Sequence, residues 1–223
     1  MWRTVGFSLF GLAAALSLAS CGSSSKLGFV ARSEPWRKDL EVSCLRAGVV
    51  QDTAFIAGGT SITGGDGYCG AVHPYRVSAV GNGQVGLAPN AVVQCQMIPA
   101  LDQWVDQVVI PSAHAIYGVG VAQMKVLSSY ACRPMNNVSG ARLSEHGHAN
   151  AVDIGAFTLT DGRVITVASG WNGSAADRQF LRNVHDGGCE TFSTVLGPNF
   201  NAQHHDHIHV DLMPRHVGKG VCE

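Results

Sequence analysis

Two short segments, Ser144-Glu145-His146-Gly147-His148-Ala149-Asn150-Ala151-Val152-Asp153 and His204-His205-Asp206-His207-Ile208-His209, gather imidazoles and carboxylates at the spacing of metal ligands. A fold that uses both must bring them to one place across the intervening chain. Zinc takes imidazole nitrogen and carboxylate oxygen at about 2.0–2.2 Å, and a catalytic site offers three protein ligands with one position left open for water. On a strand, residues two apart face the same side, so His207 and His209 are expected to point into one cleft while Asp206 and Ile208 face away. His146 and Asp153 have Gly147 and Ala149 to Ala151 between them, a spacing too irregular for one helix face. A loop running into a strand turns both inward, and the small residues let the backbone come close to a metal. The pattern points to zinc-dependent hydrolysis.

The chain starts Met1-Trp2-Arg3, continues in an apolar run from Val5 to Leu18 and reaches Leu18-Ala19-Ser20-Cys21-Gly22. A charged start, a short hydrophobic run and small residues before a cleavage point make a signal peptide, expected over 1–20. Cysteine directly after Leu-Ala-Ser resembles the lipobox of bacterial lipoproteins, which implies lipidation of Cys21. At about 0.8 kcal/mol per buried CH2, a multiply acylated cysteine anchors a protein to a membrane stably. The expected location is therefore periplasmic, with the outer membrane preferred because Gly22 replaces the aspartate typical of inner-membrane retention. Residues 21–40, Ser-rich and then polar, read as a flexible tether, and 41–223 as one domain.

Six cysteines remain beyond Cys21: Cys44, Cys69, Cys95, Cys132, Cys189 and Cys222. An even number in an exported chain predicts disulfides, and neighbour pairing (44 with 69, 95 with 132, 189 with 222) is the simplest expectation. A net charge of −1, with only 14% of residues charged, predicts no nucleic-acid partner and no polybasic membrane patch.

Short apolar pieces between Cys44 and Leu87, broken by Gly-Gly, Asp-Gly and Gly-Asn-Gly, read as strands and loops. From Asn90, Val92, Val93, Met97, Ile98, Leu101, Trp104, Val105, Val108 and Val109 recur at helical spacing, predicting a helix that ends before Pro111, with Trp104 in the core. Val119 to Tyr130 reads as a strand. Asp153 to Phe157 and Arg163 to Val167 read as a hairpin about Asp161-Gly162. A helix capped by Ser174 is expected to run to Gly187-Gly188, and His207 to Leu212 forms the last strand. Without a βαβ rhythm, the mixture predicts an α+β fold.

Ser144-x-His146-x4-Ala151-x-Asp153, followed by Asp206-His207-x-His209, resembles the paired motif of the lysostaphin, D-alanyl-D-alanine metallopeptidase and hedgehog superfamily. More of the chain resembles the bacterial extensin-like domain family: Ser129-Tyr130-Ala131-Cys132-Arg133, then Ser144 to Gly155, then Phe180 to Asp211. The superfamily resemblance implies a small antiparallel sheet with flanking helices and one zinc held by His146, Asp153 and His209. It implies proton transfer by His207 or Asp206, and contact of Arg133 with substrate or its oxyanion. One departure stands out: Ala149 occupies a position where glycine is common.

Ser144 is expected to orient the loop, and Ser144, Tyr130, His148 and His205 are expected around the ligands or along the cleft. His204 has no assignment. His73, His114, His185 and His216 read as structural or surface residues, and Cys132 as a disulfide partner rather than a nucleophile. For an exported enzyme the implied substrates are peptidoglycan peptides, cut in the stem or at a cross-link. The alternative is an inactive lipoprotein that keeps the fold and binds wall peptides. Metal storage by the histidine cluster explains neither Arg133 nor Asp153.

Overall fold

The computed structural model describes residues 1–2, 28–63, 67–215 and 220–223. The expected signal sequence beyond Trp2, Cys21 and His216 lie outside the described residues. In chain order the strands are β1 (Ile56–Gly58), β2 (Ile62–Thr63), β3 (Gly70–Ala71), β4 (Tyr75–Val80), β5 (Val85–Val93), β6 (Val121–Ser128), β7 (Ala151–Leu159), β8 (Val164–Thr166), β9 (Thr194–Leu196), β10 (Ile208–Asp211) and β11 (Val221–Cys222). The helices are α1 (Pro35–Ala47), α2 (Met97–Trp104), α3 (Ile110–Tyr117), α4 (Val167–Gly170) and α5 (Ala175–Gly188), with a π-helical stretch Val105–Val109 joining α2 to α3.

Among the described residues, nine strands make one sheet in the order β1-β4-β5-β6-β7-β10-β9-β11, with β8 also on β7. The α+β expectation holds, but the sheet is larger than the small antiparallel one expected, and it is mixed. β5 runs parallel to β6, and β11 parallel to β9. Parallel neighbours need a long crossover, and the run from α2 to α3 supplies it between β5 and β6.

That unit was hidden because the helix was expected from Asn90. Val92 and Val93 instead end β5, where Val85, Leu87, Ala91 and Val93 alternate into the core. The helix also runs past Pro111. Proline lacks the N–H that would bond the carbonyl four residues back. Here the Ile110 N–H already reaches the Val105 carbonyl five residues back, so Pro111 enters as a first-turn residue of α3, where the missing donor has no α-helical acceptor to lose.

One core holds the fold. Trp104 is fully buried, as expected, and its Nε1 donates to the Val184 carbonyl of α5 at 2.9 Å. α5 turns Phe180, Leu181, Val184, His185 and Gly188 inward, one stripe of an amphipathic helix. Its N-cap is the expected one, the Ser174 hydroxyl accepting from the Asp177 N–H at 3.1 Å. Ser174→Ala is expected to lower the unfolding free energy by about 1 kcal/mol, read from a shifted denaturant midpoint at unchanged m-value; a midpoint that does not move rejects the cap.

The disulfides are Cys44–Cys95, Cys69–Cys132 and Cys189–Cys222. Only the last follows neighbour pairing. The first two interleave: Cys44 on α1 meets Cys95 just before α2, and Cys69 reaches Cys132 in the loop before the first histidine segment. The fold also begins earlier than the expected boundary at 41. Pro35 starts α1, and Glu41 on its buried side accepts from the N–H groups of Val72 and His73 at 2.8 Å each.

Candidate metal centre

The centre is built where β7 and β10 lie side by side. Their antiparallel register sets His209 opposite Asp153. On β10 the alternation works as the sequence suggests: Ile208 and Val210 enter the core, fully buried, while His209 and Asp211 occupy the other face, with His207 just before them. His146 arrives on a 3-10 turn, Glu145–His148, which leads into β7. The turn is held from several sides. The Ala131 N–H bonds the His146 carbonyl at 3.1 Å, the Ser144 N–H bonds the Arg133 carbonyl at 3.1 Å, and the Gln94 N–H bonds the Ala149 carbonyl at 2.8 Å. Ala149 has φ +53°, in the left-handed region. Glycine, the residue that enters that region without strain, is the common residue at this motif position.

Ligand atoms of His146, Asp153 and His209 all lie within 4.8 Å of one another, and all three residues are buried. The His146 Nδ1–H donates to the Ser129 carbonyl at 2.6 Å. This fixes the tautomer and leaves Nε2 with its lone pair directed at the centre. Nε2 is 3.1 Å from Asp153 Oδ2, yet it is buried without a hydrogen-bond partner. An orphaned buried nitrogen calls for an explanation, and a metal ligand is one. Metal-bound histidines characteristically donate their other N–H to a carbonyl or carboxylate.

His209 is oriented the same way by Asp211, whose Oδ2 is 3.0 Å from Nε2, while Nδ1 lies 2.8 Å from Asp153 Oδ1. Burial lowers the His209 pKa, but the bonds and charges of Asp153 and Asp211 outweigh it and raise the pKa to about 9. Conversely, burial pushes the Asp153 carboxyl up, and the two histidines overcome it and hold Asp153 well below the ordinary range. Two imidazole nitrogens and one carboxylate form a donor set suited to a divalent metal, so the residues present fit one.

Other expected site residues are divided by the structure. Arg133 Nη2 lies 3.7 Å from Asp153 Oδ2. His207 faces the centre, its Nε2 3.6 Å from Asp153 Oδ1, and its Nδ1 is 2.9 Å from Asp206 Oδ1. Asp206 therefore stands behind His207. Ser144 is buried and lines the cleft. His148 does not line it; it packs toward Glu34 and Arg37, where burial first and the Arg37 charge next lower its pKa to about 4. His205 is exposed and bonds the Ala202 carbonyl at 2.8 Å, and Tyr130 is half-buried outside the cleft lining. His204 does line the cleft, its Nδ1 2.7 Å from Asn201 Oδ1.

Two features escaped the sequence reading. Asp211 was legible as the third polar residue of the alternation His207, His209, Asp211. Glu145 was not: it receives Arg37 on both oxygens, at 2.6 and 2.7 Å, and the Asn150 amide at 2.7 Å. Arg37 lies 108 positions away, beyond any local pattern.

The model of a family described as extensin-like protein C-terminus matches residues 42–223. No curated protein and no solved structure matches the chain.

Proposed function

The chain belongs to the extensin-like C-terminal family, and from that premise we propose that it is a zinc-dependent peptidase of bacterial peptidoglycan, related to the lysostaphin and D-alanyl-D-alanine metallopeptidase superfamily. The observation that carries this reading is the His146 Nε2, buried without a hydrogen-bond partner beside Asp153 and His209. His146, Asp153 and His209 hold the metal, which when bound acts as a Lewis acid and brings the pKa of water from 15.7 to about 7.

The chain's own residues do the rest. Asp206 accepts from His207 Nδ1 and fixes the tautomer that turns Nε2 toward the centre. His207 then takes a proton from the attacking water and returns it to the leaving amine, general acid-base work by a group placed at the reacting atoms. Arg133, beside Asp153, offers its guanidinium to the oxyanion, a role worth about 3–4 kcal/mol per donor in other hydrolases. Its place is kept by the Cys69–Cys132 bond and by the Ser144 N–H on its carbonyl. Export and lipidation at Cys21 put this chemistry where wall peptides are.

The full chain is expected to hold about one zinc and to release an amino acid or peptide from muropeptides, with activity lost to a chelator and restored by zinc. Mass analysis of the digests decides. Zinc-loaded protein that leaves both cross-linked and uncross-linked muropeptides intact overturns the peptidase reading.

A further inference from the structure

The cavity around the centre encloses about 460 Å³, within the range of sites that take small ligands or a few residues of peptide. Its charges are unevenly matched. The three carboxylates that line it have partners from within: Glu145 has Arg37 and Asn150, Asp153 has His209 with Arg133 at 3.7 Å, and Asp211 has His209 and the Met213 N–H. Two guanidinium groups on the same lining are less well matched. Arg142, 44% exposed, comes only to 4.0 Å from Glu34, whose other oxygen is bound by Arg37 at 2.6 Å. Arg215 is exposed and donates to the Thr194 hydroxyl, with no carboxylate at ion-pair distance among the described residues. They arrive on separate segments, Arg142 ahead of the His146 turn and Arg215 after β10, yet line one cavity with Asp153.

We propose that Arg142 and Arg215 bind a free carboxylate of the substrate, so that the peptide taken by this centre is an anionic one. The inference rests on the peptidase reading for its substrate class. The guanidinium fork matches a carboxylate with two parallel hydrogen bonds, and a cleft whose own acids already have partners offers no internal competitor. A peptide whose chain terminates in the cleft presents such a carboxylate at its end. A peptide that continues through presents one only from a side chain.

The test compares three probes on the zinc-loaded full chain by calorimetry: a stem tetrapeptide, its C-terminal amide, and the same peptide amidated at its internal carboxylates. The free acid is expected to bind about tenfold or more tightly than one of the two amides, and the amide that loses affinity identifies the carboxylate as terminal or internal. Arg142→Gln and Arg215→Gln should each reduce that preference to under about threefold at unchanged zinc content. Equal affinity for all three probes, or a preference that survives both substitutions, overturns the proposal. Affinity is read from the association heat of the first injections and hydrolysis separately from product masses, so the two ideas fail separately. A preference for the free acid with no hydrolysis leaves the carboxylate site standing and removes the peptidase; hydrolysis of acid and both amides with equal efficiency does the reverse.

Discussion

Asp153→Ala is expected to strip the protein of tightly held zinc and reduce muropeptide hydrolysis to background. Asp153 is the hub of the centre: it faces His146 at 3.1 Å, His209 at 2.8 Å, His207 at 3.6 Å and Arg133 at 3.7 Å. Removing it deletes the only anionic ligand of the set and leaves the Arg133 guanidinium next to the site a cation should occupy. Loss of a residue behind a ligand typically costs 10–100-fold in metal affinity, and loss of the ligand itself should exceed that. Asp211→Asn, which changes only the group orienting His209, provides the comparison, with an affinity loss of about 10–100-fold. Zinc retained after dialysis, measured per chain, reports the difference. A second readout is independent of activity. Zinc at a thousand times its dissociation constant stabilises the folded state by about 4.1 kcal/mol, so added zinc should raise the melting temperature of the wild type and leave that of Asp153→Ala unmoved. An Asp153→Ala protein with one zinc per chain refutes the ligand assignment.

The centre was more legible than the scaffold because it is short-range. His207 and His209 obey strand alternation, and His146 to Asp153 is a turn feeding a strand, so both halves can be read within ten residues. Only their meeting needed the fold, through the register of β7 on β10. The failures lie where tertiary context overrode a local pattern. Val92 and Val93 fit a helical stripe and a strand equally well, and the sheet between β4 and β6 decided for the strand. Pro111 looked like a helix stop, but the π-turn before it removed the conflict. Cysteine pairing depends on where α1 lies, which no spacing states. His148, two residues past His146 on a 3-10 turn, and His205, at the end of the 3-10 turn Ala202–His204, turn elsewhere because neither lies on a strand whose alternation would return it to the ligand side.

Glu145→Ala tests the longest-range support of the site and should cost about 3–5 kcal/mol of stability, the range for breaking a buried ion pair from one side. Glu145 and Arg37 have side chains 8% and 12% exposed and are joined by two bonds. Asn150 adds a third, and its own Oδ1 accepts from Gln94. Without Glu145, the Arg37 guanidinium keeps Glu34 as its one carboxylate partner among the described residues, and the Asn150 amide loses its acceptor. The damage also reaches the metal. Glu145 precedes His146 on the same turn, so zinc affinity should fall along with the denaturant midpoint. Arg37→Met with Glu145→Leu distinguishes charge from packing: replacing both partners by apolar groups removes the buried charges together and should recover most of the loss. If Glu145→Ala costs less than about 1 kcal/mol, the pair behaves as a surface ion pair, and the His146 turn must be held by its backbone bonds through Ala131, Ser144 and Gln94.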